Sequence, residues 1–132
     1  MATILLADDS DDLRTLYGAC LRGQGHNVVE AADGLAAVEQ VRKHRPDLLL
    51  LDVWMPELNG YEVLDALRAE PAALRLKVIM LSVLDDGEAQ LQAFGGGAVD
   101  YLVKGAPLTA LTARIDAVLA STAELAALAE PI

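Results

Sequence analysis

Short apolar runs that each stop at a polar residue constrain this chain more than any other feature. Thr3-Ile4-Leu5-Leu6-Ala7 stops at Asp8-Asp9, Leu48-Leu49-Leu50-Leu51 at Asp52, Val78-Ile79-Met80-Leu81 at Ser82, and Tyr101-Leu102-Val103 at Lys104. A brief apolar run without alternation suits a strand buried on both faces, the condition of a parallel sheet covered by helices. The segments between the runs carry apolar residues at helical spacing. Alternating strands and helices of this length take right-handed crossovers, and the expected class is α/β with an open, doubly wound sheet. The carboxyl ends of such strands point into one crevice. Asp8, Asp9, Asp52, Ser82 and Lys104 can therefore converge although they are far apart in sequence.

The first strand is expected at about Thr3–Ala7. The helix after it places Leu13, Leu16, Tyr17, Cys20 and Leu21 on one face, with Ser10 as N-cap, Asp11 and Asp12 at the positive end of the dipole, and Gly23 and Gly25 at its close. A second strand, about Asn27–Glu30, leads through Asp33-Gly34 into a helix carrying Leu35, Val38 and Val41, which Pro46 stops. Leu48–Leu51 is the most apolar run and belongs at the centre of the sheet. A loop from Trp54 to Gly60 precedes a helix with Tyr61, Leu64 and Leu67. Strand Val78–Leu81, a helix at about Asp86–Phe94, the glycines 95–97 and strand Tyr101–Val103 follow. After Pro107 a last helix carries Leu108, Leu111, Ile115, Val118, Thr122 and Leu125 on one face.

The 132 residues suit one domain with a real core, and 54% apolar against 4% aromatic residues makes that core aliphatic. A net charge of −10 repels phosphate backbones, so direct nucleic-acid binding is not expected, whereas divalent cations and basic partner surfaces are attracted. The lone cysteine, Cys20, excludes an internal disulfide and reads as a core thiol. No apolar run approaches the ~18 residues of a membrane span, and the start lacks a secretory pattern. The expected location is cytoplasmic, without membrane attachment. His26 and His44 are expected to carry no chemistry, and Asp85-Asp86-Gly87 to open a helix rather than hold a metal.

Each residue at a strand end has a structural reading on its own: the Asp pair as a helix cap, Asp52 as a turn former, Ser82 as the opening of a turn, Lys104 as a solvated strand end. Jointly they make chemical sense. Carboxylates crowded into one crevice repel, and a hard cation with oxygen ligands relieves that repulsion. Three carboxylates, a hydroxyl and an ammonium together suggest a magnesium-assisted phosphoryl site.

The run Ile4–Asp9, the segment Leu51-Asp52-Val53-Trp54-Met55-Pro56 followed by Gly60, the pair Leu81-Ser82, and Asp100-Tyr101-Leu102-Val103-Lys104 together resemble the response-regulator receiver domain of two-component signalling. The resemblance covers about residues 3–120. It implies a flavodoxin-like, five-stranded parallel sheet in the order 2-1-3-4-5 flanked by five helices. It also implies a phosphorylation-dependent switch, not an enzyme in the ordinary sense, that accepts a phosphoryl group from a histidine kinase or histidine phosphotransfer protein. By that resemblance Asp52 is the phosphoacceptor. Asp9, Asp52 and the Trp54 backbone carbonyl are direct ligands of Mg2+ (or Mn2+), and Asp8 is a ligand through water. Ser82 and Lys104 hold phosphoryl oxygens, and Ser82 and Tyr101 form the switch toward a downstream output protein or domain.

The chain departs from the family pattern at three positions. Gly105 stands where proline is usual, which leaves the Lys104 loop less constrained. Val83 stands where alanine or glycine is usual, and bulky Trp54 stands two residues after the phosphoacceptor. A degenerate, unphosphorylated receiver is disfavoured by the intact set Asp8, Asp9, Asp52, Ser82 and Lys104. A phosphohydrolase of the haloacid dehalogenase type wants a second Asp where Trp54 stands. A flavodoxin-like cofactor carrier would set Asp8-Asp9 against a phosphate.

Residues 1–122 are expected to form the receiver domain, with 123–132 an extension of the last helix or a tail. The sequence is expected to be a stand-alone regulator or an excised domain. Ser121–Ala129 lacks glycine and proline, so helix is free to continue from about Leu108 to Ala129. That stretch is either a frayed tail or linker, or a helix that pairs with its copy in a homodimer or with an output partner.

Overall fold

The computed structural model describes residues 2–83, 95 and 97–129, the stretch 121–129 through its backbone alone. One all-parallel sheet is built from β1 (Thr3–Ala7), β2 (Asn27–Ala31), β3 (Leu48–Asp52), β4 (Lys77–Ser82) and β5 (Asp100–Val103). The strand order is β2-β1-β3-β4-β5, as the receiver resemblance implies, with the Leu48–Leu51 run at the centre. Among the described residues the helices are α1 (Asp11–Gly23), α2 (Gly34–His44), α3 (Gly60–Arg68), a 3-10 turn at Pro71–Ala73, and α4 (Leu108–Ala129). Four helices are thus described against five expected. The helix expected at Asp86–Phe94 lies outside the described residues.

Alternation along each strand divides the core in two. Leu5, Leu49, Leu51, Val78 and Met80 face α2 and α3, where Ala37, Val38, Val41, Val63, Leu64 and Leu67 cover them. Ile4, Leu6, Leu48, Leu50, Ile79 and Leu81 face α1 and α4, where Tyr17, Leu21, Leu111 and Ile115 cover them. Burial on both faces is why these strands are apolar at every position. Side-chain caps open the helices: Ser10 accepts from the Leu13 N–H, Asp33 from Ala36, and Asn59 from Glu62, whose carboxylate reaches back to the Asn59 N–H.

Two residues expected inward are exposed. Leu16 is 54% exposed because the face of α1 that meets the sheet centres on Tyr17 and Leu21, and one residue turns the helix by about 100°. Leu35 is 49% exposed because it stands in the first turn of α2, ahead of the Ala37–Val41 stretch that reaches the strands. Cys20, expected in the core, is only half-buried.

The loop between β3 and α3 closes tightly on the strand it leaves. The Gly60 N–H donates to the Val53 carbonyl at 2.7 Å. A Cβ at Gly60 would stand 2.5 Å from the Asp52 carbonyl oxygen and 2.9 Å from Met80 Cε. Backbone cannot yield as a flexible side chain does, so Gly60→Ala is expected to cost about 2–4 kcal/mol in urea unfolding. A loss below about 0.5 kcal/mol would show that this loop relaxes freely.

Candidate functional site

The parallel register pairs Ala7 with Leu51, Asp52 with Leu81, and Ser82 with Val103. Strands in that register end at one level, so the residues at and just past their ends meet above the sheet. Asp8 follows β1 and is fully buried, Asp52 ends β3 and is 3% exposed, and Ser82 ends β4 and is 1% exposed. Asp9 is exposed at the rim. Lys104 follows β5, its backbone N–H donating to the Ser82 carbonyl at 2.6 Å. From that anchor the ammonium reaches across the crevice to Asp8 Oδ2 at 2.7 Å and Asp52 Oδ1 at 3.0 Å. The five residues singled out at the strand ends therefore share one crevice.

The first Asp of the pair is held inside by the backbone. Its Oδ1 accepts from the Ser10 N–H at 2.8 Å, and its own N–H donates to the Ala31 carbonyl at 3.1 Å. Asp8 Oδ2, by contrast, meets the Lys104 ammonium as an ion pair rather than as an aligned hydrogen bond. On Asp52, Oδ1 also accepts from the Trp54 N–H at 3.3 Å. Burial pushes the Asp52 carboxyl up from 3.8 to about 6. The Asp8 charge adds to that rise, while the ammonium and the Trp54 N–H oppose it. Burial also pulls on the Lys104 ammonium, but its bonds to Asp8 and Asp52 win, and its pKa lies above the ordinary lysine value.

One oxygen from each of Asp8, Asp9 and Asp52 lies within 4.8 Å of the others. Three carboxylates against one ammonium leave a formal charge of −2, with Asp8 and Asp52 buried and Asp9 at the rim. Hard oxygen donors, surplus negative charge and a buried oxygen without an aligned hydrogen bond fit a hard divalent cation. Trp54 stands beside this cluster with its side chain 60% exposed, and Val83 is 68% exposed. Tyr101 is 8% exposed and belongs to the core on the α2 and α3 side.

Two neighbours carry no sign of this role in the sequence. Arg14, which the sequence does not single out, donates from its guanidinium to the Asp8 carbonyl and pairs with Asp11 and Glu30. Tyr17, expected as core, is buried there, and the Lys104 ammonium and the Asp8 carboxylate are charged neighbours of its hydroxyl. Only tertiary packing, with α1 lying against β1 and β2, reveals either one.

Comparison with known proteins agrees with this geometry. The response regulator receiver domain family matches residues 4–116. The gliding motility regulatory protein of Myxococcus xanthus is 42% identical over 102 residues, which are 77% of this chain and 13% of that protein. The transcriptional regulatory protein AfsQ1 of Streptomyces coelicolor is 38% identical over 119 residues, 90% of this chain and 52% of that one. The chain thus spans about half or less of these curated relatives. Among solved structures, the chemotaxis response regulator CheY4 of Vibrio cholerae superposes with a TM-score of 0.85 at 30% identity, covering 89% of this chain and 98% of its own. The BeF3-activated N-terminal receiver domain of Klebsiella pneumoniae RstA gives 0.82 at 29% identity, covering 89% and 97%. A matching family over most of the length, the same strand order and an acidic crevice at the ends of β1 and β3 lead to one conclusion: this chain belongs to the response regulator receiver domains of two-component signalling.

Proposed function

We propose that the domain accepts a phosphoryl group on Asp52 from the phosphohistidine of a histidine kinase or phosphotransfer protein, with Mg2+ or Mn2+ bound by Asp9, Asp52 and the Trp54 carbonyl and, through water, by Asp8. The observation that carries this reading is the Asp52 carboxylate held at 3.0 Å from the Lys104 ammonium within the acidic cluster. When bound, the cation neutralises phosphoryl and carboxylate charge. An Asp52 oxygen forms the new O–P bond as the N–P bond of the donor breaks, and the departing imidazole takes up a proton from solvent. Lys104 and Ser82 hold the phosphoryl oxygens. The domain modifies itself rather than turning over a separate substrate, and water later hydrolyses the acyl phosphate.

The output is a protein or domain that reads the phosphorylated face. That the curated relatives are about twice as long or longer supports such an arrangement. Among the described residues no helix is long and apolar enough to cross a membrane, which is compatible with a cytoplasmic domain. We assign residues 1–122 to the receiver and 123–132 to an extension. The helical backbone of α4 runs unbroken to Ala129, so the extension begins as helix. At ~1.5 Å per residue α4 is roughly 33 Å long, more than strands of four to six residues require.

Trp54 is the chain's only tryptophan. Its fluorescence is expected to change on Mg2+ addition and again on beryllofluoride addition, a mimic of the phosphoryl group. A signal indifferent to both in a sample that becomes phosphorylated contradicts the place given to its carbonyl.

Ser82 is nearly buried at the end of β4, next to β5, which carries Tyr101. Phosphate biases a two-state equilibrium only through contacts that it makes better in one state. Ser82 offers such a contact, and its movement would change the space open to the Tyr101 ring. Ser82→Ala is therefore expected to take up phosphate yet bind its output partner about three- to tenfold more weakly than the phosphorylated parent. Equal partner binding by both phosphorylated forms would remove Ser82 from the switch.

A further inference from the structure

Asp9 is the exposed member of the acidic cluster, and among the described residues its carboxylate takes no hydrogen bond and no ion pair. Its place beside Asp8 and Asp52 is therefore set by the backbone that carries it. That backbone is the Asp8–Asp9 peptide, whose carbonyl, on Asp8, accepts from the Arg14 guanidinium at 2.5 Å. Asp8 is wholly inside the protein, where a carbonyl without a donor is costly. Its N–H donates to the Ala31 carbonyl and its Oδ1 accepts from the Ser10 N–H, so Arg14 restrains the side of the residue that leads into Asp9.

The guanidinium is itself held. The Arg14 side chain is 13% exposed, its Nε stands 3.4 Å from Glu30 Oε1, and a terminal nitrogen pairs with Asp11. Glu30 also holds Arg22 at 3.2 Å. It directly precedes Ala31, so one short stretch of β2 restrains Asp8 twice: by the Ala31 carbonyl, and through Glu30 and Arg14. Helix stability does not account for a cation here, because Arg14 lies near the positive end of α1, where the dipole opposes it. A planar fork of five donors can serve a carbonyl and two carboxylates at once, which an ammonium cannot. We propose that Arg14 is a positioning residue for the acidic cluster, fixing the Asp8–Asp9 peptide so that the Asp9 carboxylate is already in place for a divalent cation. The inference rests on the reading of that cluster as the Mg2+ site.

The sign of one effect separates positioning from plain electrostatics. Arg14→Met removes a positive charge beside three carboxylates, and by charge alone it would tighten cation binding. Loss of positioning weakens it instead. Calorimetric titration of the full chain with Mg2+ is expected to give affinity about tenfold lower in Arg14→Met, the scale of losing an outer partner of a metal ligand. Arg14→Lys keeps the charge without the fork and is expected to lose roughly three- to tenfold, the size of one hydrogen bond. Arg22→Met, which removes a cation that shares Glu30 without touching Asp8, is expected to keep the parent affinity. In metal-free protein the Asp9 amide resonance, assigned by NMR, is expected to shift in both Arg14 variants. Parent-like or tighter Mg2+ binding by either folded Arg14 variant, an equal loss in Arg22→Met, or an unmoved Asp9 amide would each overturn the proposal. Failure of the parent itself to bind Mg2+ would overturn the metal reading instead, while the Asp9 amide would still report on the Arg14 bond.

Discussion

Asp52→Asn is expected to abolish phosphoryl uptake and, in the same molecule, to make the metal-free protein more stable near neutral pH. The first effect follows from loss of the nucleophile. The second follows from the cost of holding this carboxylate charged. Its folded-state pKa of about 6 lies above the ordinary 3.8, so the folded chain binds that proton more tightly than the unfolded chain does. The resulting stability is fully present below 3.8 and is lost as pH rises through about 6. Two units correspond to roughly 3 kcal/mol at most, and the amide loses part of the Lys104 interaction, so the net gain expected is about 1–2 kcal/mol at about pH 7.5. It should vanish near about pH 3, below both pKa values, where the parent carboxyl is itself protonated in both states. Urea unfolding of both proteins without divalent cation at the two pH values checks this. A destabilised Asn variant at neutral pH would mean that the ion pair outweighs burial.

Lys104→Met is expected to move stability in the opposite direction. Removing the ammonium leaves Asp8 and Asp52 facing each other with no cation between them, both almost wholly inside the protein. Breaking a buried pair from one side costs more than the pair contributes, because an uncompensated charge stays behind. The lysine head is 15% exposed, so solvent softens the penalty, and the expected loss in metal-free buffer near neutral pH is about 2–4 kcal/mol. Losing Lys104 pushes the Asp52 pKa higher still, so the penalty should shrink as pH falls and that carboxylate takes up a proton. Mg2+ should also restore part of it by supplying the missing positive charge. Denaturation with and without Mg2+ at two pH values separates the causes. A loss independent of both pH and Mg2+ would show that the methylene stem, not the charge, had mattered.

Much of the molecule was legible in one dimension for a definite reason. A strand buried on both faces must be apolar throughout, so Ile4–Ala7, Leu48–Leu51 and Val78–Leu81 announce both their state and their place in a covered parallel sheet. Their polar stops then mark the one edge where functional groups can gather, and Asp8, Asp52, Ser82 and Lys104 meet there. Less legible was the extent of each helix face. Periodicity gives the direction of an apolar stripe but not its width, and Leu16 and Leu35 fell outside the buried sector. The inequality within Asp8-Asp9, one wholly buried and the other exposed, also needed three dimensions, because it depends on the Ser10 N–H bonding the first carboxylate and the Ala31 carbonyl accepting from the Asp8 N–H. The hydroxyl of Tyr17 and the guanidinium of Arg14 were invisible for a similar reason. Both look like ordinary helix positions, and their partners are chosen by tertiary packing.

The central claim is that Asp52 accepts phosphate with the help of a divalent cation. Intact-mass measurement after incubation with acetyl phosphate tests it most directly, using the parent and Asp52→Asn proteins with Mg2+ and with a chelator. The account predicts one added phosphoryl mass in the parent with Mg2+ and none in the other three samples. A phosphoryl adduct on Asp52→Asn, or undiminished labelling of the parent in chelator, would contradict it.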